Sequence, residues 1–275
     1  MTRPGGDVRS LSLESNMKSG NFTLSYPLLL SARNAWSIRG SLGWIDEIQQ
    51  TNSTGIDQEI SHDRLTSIRG GLTYFGCGFG CLTFDSQISR GLEIASRSAS
   101  EATTGTPLSR TSGTSTYTHF RLNSSYSFVP FEKYSLKFIA GGQYTDDGLL
   151  NSEQTTIVGL DRISSLTSGA ISGDKVWFLR SELTRNFSIT KNTNLSPYLY
   201  SAMGVAYINK PTVAENKETA AKSIGGGIIF NNFNNILSFD KNISAKLEYS
   251  KTIATYKIEE LSDVRLNTQH LLLIL

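Results

Sequence analysis

Residues 134–183 read YSLKFIAGGQYTDDGLLNSEQTTIVGLDRISSLTSGAISGDKVWFLRSEL, and this stretch decides the fold. From Tyr134 to Tyr144, one face takes Tyr134, Leu136, Phe138, Ala140, Gly142 and Tyr144. The other takes Ser135, Lys137, Gly141 and Gln143, with only Ile139 out of type. A long linker rich in Gly, Ser and Asp follows. After it, Trp177, Leu179, Leu183 and Phe187 oppose Arg180, Glu182 and Thr184. A period of two, apolar on one wall and polar on the other, is the pattern of a β-strand.

The same pattern extends outward in both directions. Phe22, Leu24, Tyr26 and Leu28 form one stripe, and Trp36, Ile38, Leu42 and Trp44 form another, opposite Ser37, Arg39 and Ser41. Phe120, Leu122, Tyr126 and Phe128 oppose Tyr117, His119, Arg121 and Asn123; Ile243, Ala245, Leu247 and Tyr249 oppose Lys246, Glu248 and Ser250. Twelve candidate strands result, at 8–15, 20–29, 35–49, 61–76, 81–91, 115–128, 133–145, 175–188, 196–208, 219–231, 242–252 and 264–274. Arginine and lysine on the polar wall suit a sheet set between lipid and a wet lumen. A soluble β-rich binding domain with one solvated face gives the same alternation, so periodicity leaves both readings open. The links near 92–114, 146–174, 209–218 and 253–263 are long and polar, whereas those near 30–34, 77–80, 129–132 and 189–195 are short. Long loops on one side and short turns on the other match a transmembrane β-barrel.

Composition narrows the function classes. A net charge of +2 is too small to suggest a nucleic-acid partner, and aromatics make up 10% of the chain. No apolar run is long enough for a membrane helix, which leaves membrane strands unaffected. MTRPGGDVRSLSLE, residues 1–14, has no apolar core behind a basic start, so no signal peptide is read there. Cys77 and Cys81 frame Cys-Gly-Phe-Gly-Cys, either as a disulfide closing a small turn or as two free thiols. Two cysteines without a second pair or a neighbouring histidine make no metal site. No nucleophile elbow or carboxylate pair stands out, so no catalytic residue and no cofactor are assigned.

One order of residues is more specific: Gln143, Leu150, Ser152-Glu153-Gln154, Gly159, then Gly169-x-x-Ser172-Gly173-Asp174 and Leu179-Arg180-x-Glu182-Leu183. It resembles the transporters of two-partner secretion, the haemolysin-activator proteins of Gram-negative outer membranes. The resemblance is specific from Gln143 to Gly204 and extends in fragments over residues 1–275. It implies an all-β fold, an antiparallel transmembrane β-barrel of meander topology. About twelve strands of a sixteen-stranded family barrel would be present, with the capture (POTRA) domains and first strands absent. The implied function is an outer-membrane pore that exports a large partner exoprotein, a haemolysin or adhesin. Its partners would be that secreted substrate, outer-membrane lipid and the barrel-assembly machinery. The alternative within transporters is a surface-antigen or barrel-assembly relative that shares the lumen loop.

In this family the linker folds back into the lumen, and an arginine at its tip meets an aspartate on the wall. The resemblance places the tip at Arg162, Ile163, Ser164, Ser165 and Leu166, with Ser164 at the arginine position. The wall motif falls on Tyr200, Ala202 and Gly204, with Ala202 at the aspartate position. Both partners of the ion pair are therefore replaced. Removing one member of a buried pair costs roughly 3–5 kcal/mol, whereas replacing both is often near neutral. The loop is then expected to be held through other groups, with Arg162 or its neighbour Asp161, Arg180, Glu182 and Gln143 as the candidates.

Overall fold

The computed structural model describes residues 13–51, 58–97, 105–166, 169–189, 194–213, 215–231, 244–258 and 261–274. Its long strands are β1 (Leu13–Leu30), β2 (Asn34–Thr51), β3 (Gln58–Cys77), β4 (Gly80–Leu92), β5 (Thr118–Phe131) and β6 (Tyr134–Tyr144). Two short strands in the linker, β7 (Thr155–Thr156) and β8 (Ser172–Gly173), pair with each other. Then come β9 (Lys175–Arg185), β10 (Phe187–Ser188), β11 (Asn194–Tyr207), β12 (Glu218–Asn231), β13 (Ser244–Ile258) and β14 (Leu261–Ile274).

The main sheet is an antiparallel meander in the order β1-β2-β3-β4-β5-β6-β9-β11-β12-β13-β14, with β10 paired to β11. Each long strand thus pairs with its successor in the chain, and the 134–183 stretch supplies the adjacent pair β6 and β9. Ile139 lies opposite Arg180, Arg180 opposite Ala202, Ala202 opposite Ser223, and Ser223 opposite Thr252. One row across five strands therefore faces the linker.

The two faces are inverted relative to a water-soluble sheet. Leu199 and Ile224 are each 67% exposed and Leu24 is 66% exposed, while Arg180 and Glu248 have side-chain exposures of 0% and 1%. Apolar side chains left outside and charges held inside are what a lipid solvent selects. The buried apolar cluster is built by the linker itself. Ile157, Val158, Ile163 and Ile171 pack on Val176, Phe178, Tyr198, Tyr200, Ala202, Ala206, Ala221 and Ala254 of the strands.

Two expectations shift. Residues 13–15 of the expected 8–15 strand open the same β1 that contains 20–29, while residues 8–12 lie outside the described residues. The polar link expected at 253–263 is largely strand, because β13 runs through Ile258 and β14 begins at Leu261. Alternation persists there, with Thr252 and Ala254 buried, so the pattern outlasts the drop in hydrophobicity. The turn after β3 is closed by a Cys77–Cys81 disulfide with a Cα–Cα distance of 4.1 Å. It lies at the end of the sheet bearing the short connections 31–33 and 132–133.

Candidate functional site

The linker between β6 and β9 lies against the polar face of the sheet, and its tip is gripped by the wall. Arg180 on β9 donates from Nη1 to the carbonyl of Arg162 and to the hydroxyl of Ser164, both at 3.0 Å. Its Nη2 is 2.9 Å from Glu248 of β13, and its Nε donates to Glu182 at 2.7 Å. The guanidinium also stacks 3.6 Å from the Tyr200 ring centroid, a cation–π contact strengthened by burial. Ser164 donates to Glu248 and lies 3.0 Å from the Tyr200 hydroxyl. Ser165, fully buried, bonds to Thr252 and to Ser223 at 3.3 Å.

Glu248 is the acceptor that balances this cluster. Arg180, Ser164 and the Tyr198 hydroxyl donate to it, and Lys246 lies 3.3 Å away. Two glycines of β12 make room for the tyrosines. A Cβ on Gly227 would lie 2.7 Å from the Tyr198 hydroxyl, and one on Gly225 would lie 2.7 Å from the Tyr200 ring. Side chains at these positions would push both rings off the wall and move their hydroxyls away from Ser164 and Glu248.

A second cluster holds the loop where it leaves β6. Gln143 donates to the carbonyls of Asp174 at 2.9 Å and Glu153 at 3.3 Å, joining the outgoing and returning arms. Glu153, in a 3-10 turn spanning Asn151–Glu153, is 2.6 Å from Arg69, 3.0 Å from His119 and 3.8 Å from Arg121. Burial pushes its carboxyl up, but the His119 hydrogen bond and the charges of Arg69 and Arg121 outweigh that and hold it below the usual glutamate range. Arg121 also donates to the Glu153 carbonyl at 2.6 Å. Asp174 accepts from the amides of Leu149 at 3.1 Å and Asn209 at 2.7 Å, and from Arg110 at 2.9 Å.

The sequence-assigned residues are thus distributed as follows. Ser164, Ser165, Tyr200, Arg180 and Glu182 meet at the tip cluster, and Gln143 serves the root. Ile163 and Ala202 belong to the apolar cluster, with Leu166 packed against it. A Cβ on Gly204 would lie 3.1 Å from Ile157, so the wall motif supplies a flat seat for the loop. Arg162 turns back on its own loop, donating to the Thr156 carbonyl and lying 4.4 Å over the Phe178 ring. Cys77 and Cys81 stand apart from both clusters, on the turn after β3.

Glu248, Tyr198, Glu153, Asp174, Arg110 and His119 complete the clusters without having been assigned roles from sequence. Glu248 and Arg180 are separated by 68 positions, so only strand order brings them together. Beside the loop, a cavity of about 310 Å³ is lined by Thr73, Asp85, Asn123, Ser124 and Arg162, among others. Among the described residues, no helix is long and apolar enough to cross a membrane, and no group of metal-ligating side chains stands together.

Comparison with known proteins follows this geometry. The family model for haemolysin secretion/activation proteins ShlB/FhaC/HecB matches residues 3–228. Among solved structures, the chain is similar to CdiB from Escherichia coli, with 14% identity over 94% of this chain and a TM-score of 0.68. It is also similar to CdiB from Acinetobacter baumannii, with 14% identity over 94% of this chain and a TM-score of 0.59. At that identity the likeness concerns the fold. The chain spans 46% and 43% of those two proteins, less than half of each. No curated protein sequence matches it.

Proposed function

The chain belongs to the haemolysin secretion/activation protein family ShlB/FhaC/HecB, and we propose that it forms the pore-bearing barrel part of an outer-membrane transporter. The pore exports a large partner exoprotein by two-partner secretion. The loop from Leu149 to Asp174 is its internal plug. An unfolded substrate passes through the lumen when the loop yields, and no covalent chemistry is required.

The observation that carries this reading is the grip on the loop tip from the polar face of an inside-out sheet. The apolar outer face suits lipid, and the charged inner face suits a hydrated passage. Arg180 and Glu248 do the work of the family's tip-to-wall ion pair, with both charges now on the wall and Ser164 as the neutral tip that they hold. Because Ser164 is neutral, movement of the loop leaves Arg180 and Glu248 paired with each other on the wall.

The polar cavity beside Arg162 lies along the proposed passage. The test is ion conductance of the purified protein reconstituted in planar bilayers. Deleting residues 155–171 is expected to raise single-channel conductance several-fold and to leave the protein dependent on detergent for solubility. A protein that purifies without detergent as a monomer would instead be a soluble β-rich binding domain, and the pore reading would fall.

A further inference from the structure

We propose that Arg110 is a latch pin that holds the mouth of the lumen closed at the long-loop end and leaves its site when the lumen loop moves. This rests on the pore reading above. Arg110 lies in the connection from β4 to β5 and reaches the root of the lumen loop through Asp174, apart from the tip cluster. Its side chain is only 4% exposed, yet it comes from a connecting segment, not a strand.

All of its donors are used, each on a different part of the mouth. Nε donates to Glu215 at 2.7 Å, in the link from β11 to β12. Nη1 donates to the Leu149 carbonyl at 2.7 Å and to Asp174 at 2.9 Å, so one nitrogen touches both arms of the lumen loop. Nη2 reaches the Ser112 hydroxyl at 3.2 Å and the Asn209 carbonyl at 3.4 Å. One cation thereby ties together the β4–β5 segment, the two roots of the plug and the β11–β12 link.

The rest of that segment is stitched down by directional polar bonds. The Ser109 amide donates to Asp63 at 2.8 Å, the Asn151 amide to the Ser109 hydroxyl at 3.2 Å, and the Thr114 amide to the Gly148 carbonyl at 2.9 Å. Leu108, within the segment, is buried. Such bonds are exchanged for water at little net cost, whereas a desolvated cation between two carboxylates resists partial withdrawal. The segment therefore has two positions, pinned and lifted. Lifting the pin frees the roots of the plug, while Arg180 and Glu248 still hold its tip.

Cysteine reporters in the protein reconstituted in lipid vesicles test this, and the native Cys77–Cys81 disulfide leaves no competing thiol. Leu108→Cys, at a buried position of the segment, is expected to react slowly with a polar maleimide. In the Arg110→Gln background its labelling is expected to rise at least about tenfold, with a smaller rise for Arg110→Lys. Thr111→Cys, already exposed, and Ser165→Cys, at the plug tip, are expected to keep their rates. Equal labelling of Leu108→Cys in both backgrounds would overturn the latch even if the vesicles conduct ions. Loss of protection at Ser165→Cys as well would make Arg110 a support of the whole fold, again against a latch. Vesicles that never conduct, even after deletion of residues 155–171, would count against the pore reading instead.

Discussion

Arg180 and Glu248 occupy a site almost closed to solvent, where Arg180 faces Glu248 and Glu182, and Glu248 faces Arg180 and Lys246. Truncating one leaves its partner with a single, more exposed counter-charge, Glu182 or Lys246, so Arg180→Met or Glu248→Leu alone is expected to cost up to about 3–5 kcal/mol. The double variant should recover most of that stability, since two apolar chains can fill the space. Ser164 would still lose both of its charged partners, so the plug tip should become sensitive to protease in the double variant. Urea unfolding of the detergent-refolded barrel and limited proteolysis within 155–171 read the two effects separately. Single variants costing less than about 1 kcal/mol each would remove this pair from the account of the lock. The tip and wall positions were assigned from the short motifs that flank them. Glu248 was legible only as an inward residue of an alternating strand. Its role depends on which strand stands three places from β9 in the sheet, and no local pattern encodes that.

The strands carry their orientation in their own alternation. Leu199 in β11 points into the apolar surroundings and Asn123 in β5 points to the inner cavity. Leu199→Arg is expected to destabilise by about 2–4 kcal/mol in a bilayer, as a charge near the middle of the lipid face. Asn123→Lys should be nearly neutral, because its ammonium stays hydrated. Folding yields into lipid vesicles at graded urea concentrations measure both. Equal costs at the two positions would mean that the apolar face is not the lipid face. Strand identity and facing were therefore readable from period alone for β2, β5, β6, β9 and β13. The ends were less so. At β13 the run of Thr, Tyr and Lys looks loop-like by hydrophobicity, but cross-strand pairing with β14 extends the strand to Ile258.

At the scale of the molecule, the sheet begins at β1 and ends at β14, and these two strands are not paired with each other among the described residues. In lipid, each unpaired backbone group costs several kcal/mol, so a membrane-resident form pairs both edges, with each other or with further strands. Hydrogen exchange of this chain in detergent tests the state of the edges. Fast exchange confined to the outer edges of β1 and β14, against slow exchange in β5, β6, β9 and β11, is expected for an open sheet. Uniform protection would mean that the edges have closed on each other. The sequence by itself determined the strand periodicity, the division of strands into an apolar and a polar face, the asymmetry of most connections and the family motifs around the β6–β9 loop, because all of these are local in the chain. Only the tertiary structure decided which charges hold the loop between β6 and β9. Arg180 with Glu248, Arg69 with Glu153, and Arg110 with Asp174 and Glu215 are each brought together by strand order, across spans that no short-range pattern records.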